Sequence, residues 1–255
     1  MYFLDLFSGI GGFALGAYWA GMRFNGHYFS EVDDYATRVY QQRFPDSVPL
    51  GDIRNIRGAD LPAGDWIIAG GFPCQDISIA GKGAGLAGER SGLWYEYARI
   101  IGELQPRYAI MENVGALAFR GLDSVLGSLA EIGYDAEWQD IRASEMGAPH
   151  KRERLWILAY PNESGRNASR QREIHICKPD ETEGTRPFPS YRKGDLSILR
   201  SQYTDEIRAR YYRGSNGISE TMDRLECLGN SIVPQIAELI FSGIMASLDG
   251  NAKRL

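Results

Sequence analysis

The sequence predicts an α/β fold, a mostly parallel twisted sheet with helices on both faces. Over the first 160 residues short apolar runs alternate with amphipathic stretches, the pattern of strands joined by crossover helices. Glycine-containing turns close the first of these runs and the fourth. At 255 residues the chain is long enough to bury one good-sized core.

The strands are expected at Tyr2–Phe7, His27–Ser30, Val48–Leu50, Trp66–Ala69, Tyr108–Met111, Ala136–Ile141 and Leu155–Tyr160. The first is apolar but meets Asp5 early and has no basic leader, so it reads as a buried strand and not as a signal peptide. Helices are expected where apolar residues recur at helical spacing. Asp33–Phe44 places Tyr35, Val39, Tyr40 and Phe44 this way; Gly92–Leu104 places Leu93, Ala98, Ile101 and Leu104; Leu122–Ile132 places Val125, Leu126, Leu129 and Ile132. A last helix over Ile232–Leu248 presents Ile236, Leu239, Ile240, Ile244 and Leu248 on one face, with Pro234 near its start.

Between the two ordered parts the texture changes. Residues 161–222 are polar, rich in Arg, Ser, Asn and Tyr, and without clear periodicity. One domain formed by residues 1–160 and 223–255, interrupted by an irregular insert at 161–222, accounts for this.

Composition excludes several classes. A hydrophobic share of 44% with 24% charged residues is that of an ordinary globular protein. No apolar run approaches the ~20 residues of a membrane span. Three scattered cysteines imply no disulfide framework, which with no export signal points to a reducing cytoplasm. Three histidines and no closely spaced cysteine pair give no zinc site. The net charge of −5 argues against a protein that merely coats nucleic acid. Residues 161–222, however, hold 11 Lys and Arg against 9 Asp and Glu, which permits a localised phosphate-facing surface on an acidic body.

Three turns carry candidate chemistry. Asp5–Gly16, DLFSGIGGFALG, joins the first strand to the first helix. Its glycines let backbone approach a ligand beside the helix N-terminus, and Gly9, Gly11 and Ala14 fit a loose dinucleotide pattern. Glu31, at the end of the second strand, suits a ribose hydroxyl pair. Together they indicate a nucleoside cofactor, nicotinamide or S-adenosyl-L-methionine alike. Gly70–Gln75, GGFPCQ, follows the fourth strand, and Glu112-Asn113-Val114 follows the fifth. Ligands gather at the carboxyl ends of strands in open α/β sheets, so Cys74 and Glu112 are expected in one crevice, a nucleophile with an acid.

In this order the motifs resemble the DNA cytosine-5 methyltransferase family over most of the chain. DLFSGIGG (Asp5–Gly12) resembles its cofactor loop, GGFPCQDIS (Gly70–Ser78) its nucleophile motif and MENV (Met111–Val114) its acid motif. Arg152-Glu153-Arg154-Leu155 resembles its paired-arginine motif, and Leu228-Gly229-Asn230-Ser231 its closing motif. The likeness is weakest in residues 161–222, the segment that differs with target sequence.

The resemblance implies a Rossmann-like, S-adenosyl-L-methionine-dependent catalytic domain with a small target-recognition insert at 161–222. It implies transfer of a methyl group to carbon 5 of a flipped cytosine in double-stranded DNA, releasing S-adenosyl-L-homocysteine. Cys74 is the expected nucleophile, Glu112 the group at ring nitrogen 3, Arg154 the partner of the base carbonyl, and Arg152 that of a phosphate or the active-site loop. The cofactor is expected over Phe7, Gly9 and Gly11 with Glu31 at the ribose. Val32 and Ile53 would flank the adenine with Asp52 at its amine, and Leu93, Asn230 and Ser231 would complete the pocket. Asp52 and Leu93 equally fit a turn cap and a core residue. Ala80–Gly88 resembles the family's mobile loop. The expected protein is a cytoplasmic monomer, bacterial or phage-encoded, of the restriction-modification type.

Three features depart from the pattern. His150 stands where the family usually has Gln, the motif before Asn230 shrinks to Met222–Cys227, and the insert is short. The alternatives are a tRNA cytosine-5 methyltransferase of the same fold and a non-catalytic DNA-binding relative. A nicotinamide oxidoreductase has no use for Gly71–Gln75 or for the two arginines.

Overall fold

The computed structural model describes residues 1–73, 92–146, 148, 151–162 and 231–248. Seven strands, β1 (Tyr2–Leu6), β2 (Gly26–Ser30), β3 (Val48–Pro49), β4 (Trp66–Gly71), β5 (Tyr108–Val114), β6 (Tyr134–Arg142) and β7 (Glu153–Pro161), make one sheet in the order β3-β2-β1-β4-β5-β7-β6. All seven expected strands are present. The first five run parallel, and β7 lies antiparallel between β5 and β6.

Alternating side chains feed two cores. Phe3, Ile67 and Ile110 enter one layer, while Leu4, Ile68 and Met111 enter the other, as the two-residue period of a strand requires. Such strands, covered on both faces, read as continuous apolar runs. The first layer is closed by α1 (Gly12–Trp19), α2 (Asp34–Arg43) and α6 (Pro234–Leu248); the second by α3 (Gly92–Leu104) and α5 (Leu122–Glu131). A four-residue helix, α4 (Leu117–Arg120), precedes α5. This element escaped the sequence reading, because a single turn is too short to show a period.

Local chemistry sets the helix ends. Asp33 caps α2, its Oδ1 accepting the Ala36 N–H at 2.6 Å. Pro234 opens α6, two residues later than expected, because its fixed φ suits a first helical position and its missing N–H costs nothing there. The chain therefore returns after the insert to lay α6 beside α1. The two approach so closely that a Cβ on Gly16 would lie 2.5 Å from the Ala237 Cβ.

Strand order reverses at β1, with β2 on one side and β4 on the other. A crevice opens at such a switch point, beyond the carboxyl ends of the strands. Because β7 is antiparallel, its beginning lies at the same edge as the ends of β1, β4 and β5.

Candidate active site

A cavity of about 580 Å³ occupies that edge. Its lining comes from the turn after β1 (Phe7, Ser8, Gly9, Ile10), from Glu31 after β2, from Gly71, Phe72 and Pro73 at the end of β4, and from Glu112, Asn113 and Val114 at the end of β5. Arg152 and Arg154 close to the start of β7, and Ser231 and Ile232 before α6, also line it.

One end of the cavity is ionic. Glu112 is 8% exposed, and its Oε1 lies 2.9 Å from Arg154 Nε. Arg154 pairs in register with Val114, so it reaches Glu112 diagonally across the β5–β7 ladder. Burial pushes the Glu112 carboxyl above its ordinary pKa, and the charges of Arg154 and Arg152 pull part of that back. Arg152 donates from Nη2 to the Ser231 carbonyl at 2.6 Å, tying the start of β7 to the segment that enters α6. Burial, with the Arg154 charge adding to it, lowers the Arg152 guanidinium pKa. Two cations and one acid with a raised pKa thus face the same space.

Two further residues, Gly71 and Asn113, hold this end together. Gly71 sits opposite Glu112 in the β4–β5 register, and a Cβ there would come 3.0 Å from the carboxylate Oε2. Its bareness gives the acid room. Asn113 donates from Nδ2 to the Phe72 carbonyl at 3.0 Å and accepts the Val114 N–H at 2.8 Å. It ties the end of β5 to the Phe72-Pro73 turn that leads directly into Cys74. Their signal was their place inside GGFPC and MENV; what they touch is set by strand pairing. Cys74 itself, Ala80–Gly88, His150 and Asn230 lie outside the described residues, as do the insert beyond Asn162 and Met222–Cys227.

The other end gathers around Glu31. Its Oε2 accepts the Gly9 N–H at 2.8 Å, and its Oε1 accepts the N–H groups of Val32 and Asp33 at 2.8 and 2.9 Å. The carboxylate therefore pins the glycine turn to the end of β2 while lining the cavity. Phe7 holds a φ of 51°, a left-handed conformation uncommon for a bulky residue, with its ring stacked 6.3 Å from that of Tyr97. Gly9, at φ 52°, has open space where a Cβ would be.

Of the expected cofactor residues, Phe7, Gly9, Glu31 and Ser231 line the cavity, and Gly11, Val32, Asp52, Ile53 and Leu93 are not among its lining residues. Gly11, at φ 86°, turns its bare α-carbon toward α2, where a Cβ would stand 2.7 Å from the Phe44 ring. Val32 is 72% exposed. Asp52 caps a short 3-10 turn over Ile53–Asn55 and pairs with Arg54 at 2.6 Å, which lowers its pKa. Ile53 is buried in the layer beneath α3, and Leu93 packs against the same cluster.

A model of the C-5 cytosine-specific DNA methylase family matches residues 1–222. The chain belongs to that family. Among methylase relatives it is 39% identical over 207 residues to Type II methyltransferase M.NgoBI of Neisseria gonorrhoeae, covering 80% of this chain and 61% of that protein. It is 36% identical over 165 residues to Type II methyltransferase M.HhaI of Haemophilus parahaemolyticus, covering 63% and 49%. The chain spans about half the length of these curated relatives. The S. pombe Dnmt2 methyltransferase shares the methylase fold, with a TM-score of 0.65 at 15% identity over 98% of this chain and 99% of that one.

Proposed function

We propose that this methylase transfers a methyl group from S-adenosyl-L-methionine to carbon 5 of a flipped cytosine in duplex DNA, acting as a monomer through a covalent Cys74 adduct. The observation that carries the reading is the Glu112–Arg154 pair at the cavity end that borders the turn into Cys74.

The cavity suits the cofactor. Its volume lies within the ~300–1,000 Å³ of small-molecule sites. Glu31 supplies carboxylate lone pairs for a ribose diol, and the turn at Gly9 leaves open space over its backbone. Phe7, Gly9, Glu31 and Ser231 would hold the nucleoside and amino-acid parts. When bound, S-adenosyl-L-methionine supplies the methyl group as an electrophilic sulfonium substituent.

The residues of the chain then have separate tasks. Carbon 5 of cytosine is a poor nucleophile until the ring loses its aromaticity. A Cys74 thiolate adding to carbon 6 breaks it, leaving carbon 5 enamine-like; positive surroundings favour that thiolate, and Arg152 and Arg154 supply them. As sulfur adds, negative charge builds on the ring at nitrogen 3 and the carbonyl oxygen. Glu112, held toward its protonated form by burial, donates at nitrogen 3, and Arg154 faces the carbonyl oxygen. After methyl transfer, loss of the carbon 5 proton and expulsion of the thiolate restore the ring. The base must leave the duplex first, at a cost of a few kcal/mol. Residues 161–222 are the segment we assign to reading its sequence context.

DNA is favoured over tRNA by the description of the matched family and by the Type II relatives. Retention of the acid in a cation-lined site favours an enzyme over an idle relative. The test is an oligonucleotide duplex carrying 5-fluorocytosine at the target site, located by bisulfite sequencing of DNA from expressing cells. Fluorine cannot leave as a proton does, so a denaturation-resistant protein–DNA adduct is expected, and Cys74→Ser should not form it. Methylation of tRNA with none of duplex DNA would overturn the substrate assignment.

A further inference from the structure

On the core face shared by α1 and α2, four polar side chains form a continuous line that the methylation scheme above does not use. Asp5 Oδ2 accepts from the Tyr40 hydroxyl at 2.9 Å, that hydroxyl meets His27 Nε2 at 2.7 Å, and His27 Nδ1 meets the Tyr18 hydroxyl at 3.2 Å. Asp5 and Tyr40 have no exposed surface, His27 is 6% exposed, and Tyr18 is partly exposed. The imidazole is surrounded by the rings of Phe3, Phe24 and Phe44. Placing an acid and an imidazole in such surroundings is costly unless every polar group is partnered. Asp5 Oδ1 is buried as well, and the Ala14 amide is the backbone donor that favours the charged carboxylate.

The line accepts two complete proton arrangements on the same heavy atoms. With Asp5 neutral, its O–H donates to Tyr40, Tyr40 donates to His27 Nε2, and His27 donates from Nδ1 to Tyr18. With Asp5 ionised, every bond reverses: Tyr18 donates to Nδ1, Nε2–H donates to Tyr40, and Tyr40 donates to Asp5. Passing from the first to the second sends the Tyr18 hydroxyl proton to water, and each remaining proton moves one place outward. One proton is lost, and a single negative charge is left on Asp5.

Asp5 is buried two residues before the cavity-lining Phe7 and interacts electrostatically with the cavity-lining Glu31. We propose that Asp5 is a proton-linked counter-charge for a cationic ligand in the cavity, releasing its proton to solvent through Tyr40, His27 and Tyr18 when that ligand binds. The inference rests on the reading of the cavity as an adenosyl cofactor site and goes beyond it. A sulfonium cofactor would draw Asp5 into its anionic form, and the uncharged thioether product would not. The site would thereby favour substrate over product.

The surrounding groups agree. Burial raises the Asp5 carboxyl well above the carboxylate range; the Tyr40 hydroxyl and the Ala14 amide oppose this, and Glu31 adds to it. Tyr97 on α3 also faces Asp5 but donates to the Ile110 carbonyl at 3.0 Å. Burial lowers His27 to about 4, so the imidazole passes a proton on and does not store one. Arg23 and Asp46 are the charges that face Tyr18 at the outer end.

The test is isothermal titration calorimetry of the full chain with S-adenosyl-L-methionine and S-adenosyl-L-homocysteine, each in phosphate and in Tris near neutral pH. The dependence of enthalpy on buffer counts the protons released. Wild type should release more protons with the sulfonium ligand than with the thioether. Asp5→Asn, in which any protons exchanged by the ligand's own amino group remain as the baseline, should abolish the wild-type excess over that baseline. Tyr40→Phe, which cuts the line and strips Asp5 of its donor, should narrow the preference for the sulfonium ligand by about tenfold. A role in packing alone would weaken both ligands equally. Equal proton release with both ligands in the wild type overturns the relay and leaves the cofactor assignment standing. Absence of heat with either ligand removes the cofactor assignment and the relay together.

Discussion

Arg154 Nε lies 2.9 Å from Glu112 Oε1, although the two residues come from strands that run in opposite directions. Burial raises the pKa of this acid, which is 8% exposed, and a cation one diagonal step away opposes that rise. Breaking such a pair is expensive because it strands a buried charge.

For Glu112→Gln, kcat should fall by about 10²- to 10⁴-fold, the usual worth of a positioned acid, with cofactor binding near normal. Arg154→Met should cost a similar factor. The double variant should lose less than the product of the two, because the residues act as a unit. Single-turnover methylation with labelled cofactor measures all three, and full additivity would separate the pair functionally.

Asn113→Ala removes the bond to the Phe72 carbonyl and frees the turn leading into Cys74. The fold should lose about 1–3 kcal/mol from the unpaired buried carbonyl. Adduct formation with 5-fluorocytosine DNA should slow by more than that loss explains at temperatures where the variant is fully folded. Rates equal to wild type there would show that the turn is held by other contacts.

His27 should remain neutral in the folded protein down to about pH 4. The unfolded chain takes up a proton near pH 6.5 and the folded one does not, so this imidazole lowers stability as pH falls from 6.5 toward 4. The full shift is worth roughly 3 kcal/mol. Asp5 acts in the opposite direction, since its raised pKa favours the folded state in acid. Imidazole resonances followed by NMR against pH isolate the histidine, and a His27 midpoint near 6.5 in the native state would sink the prediction.

Gly16→Ala should destabilise the protein by about 1–3 kcal/mol through overpacking. Its Cβ would stand 2.5 Å from the Ala237 Cβ and 2.7 Å from the Pro234 carbonyl oxygen, both on α6. Urea midpoints report the change, while Gly127→Ala on α5, where a Cβ meets nothing within 4 Å, should leave the midpoint unchanged or raised.

Some of this was written in the chain. Period and turn chemistry placed all seven strands, apolar spacing placed the helix that Asp33 caps, and Pro234 marked another helix start by its fixed φ, effects local enough to read residue by residue. The order of the glycine, Pro-Cys, Glu-Asn-Val and paired-arginine motifs pointed to the family. Apolar alternation records only which side of a strand is dry; it carries neither the direction of that strand nor its neighbour. Tertiary structure therefore decided that β7 runs backward, which brings Arg152 and Arg154 to the edge where Glu112 ends. It also turned Gly11 toward Phe44 and joined Asp5, Tyr40 and His27, which lie far apart in the chain, because such contacts arise only when separate elements share one core.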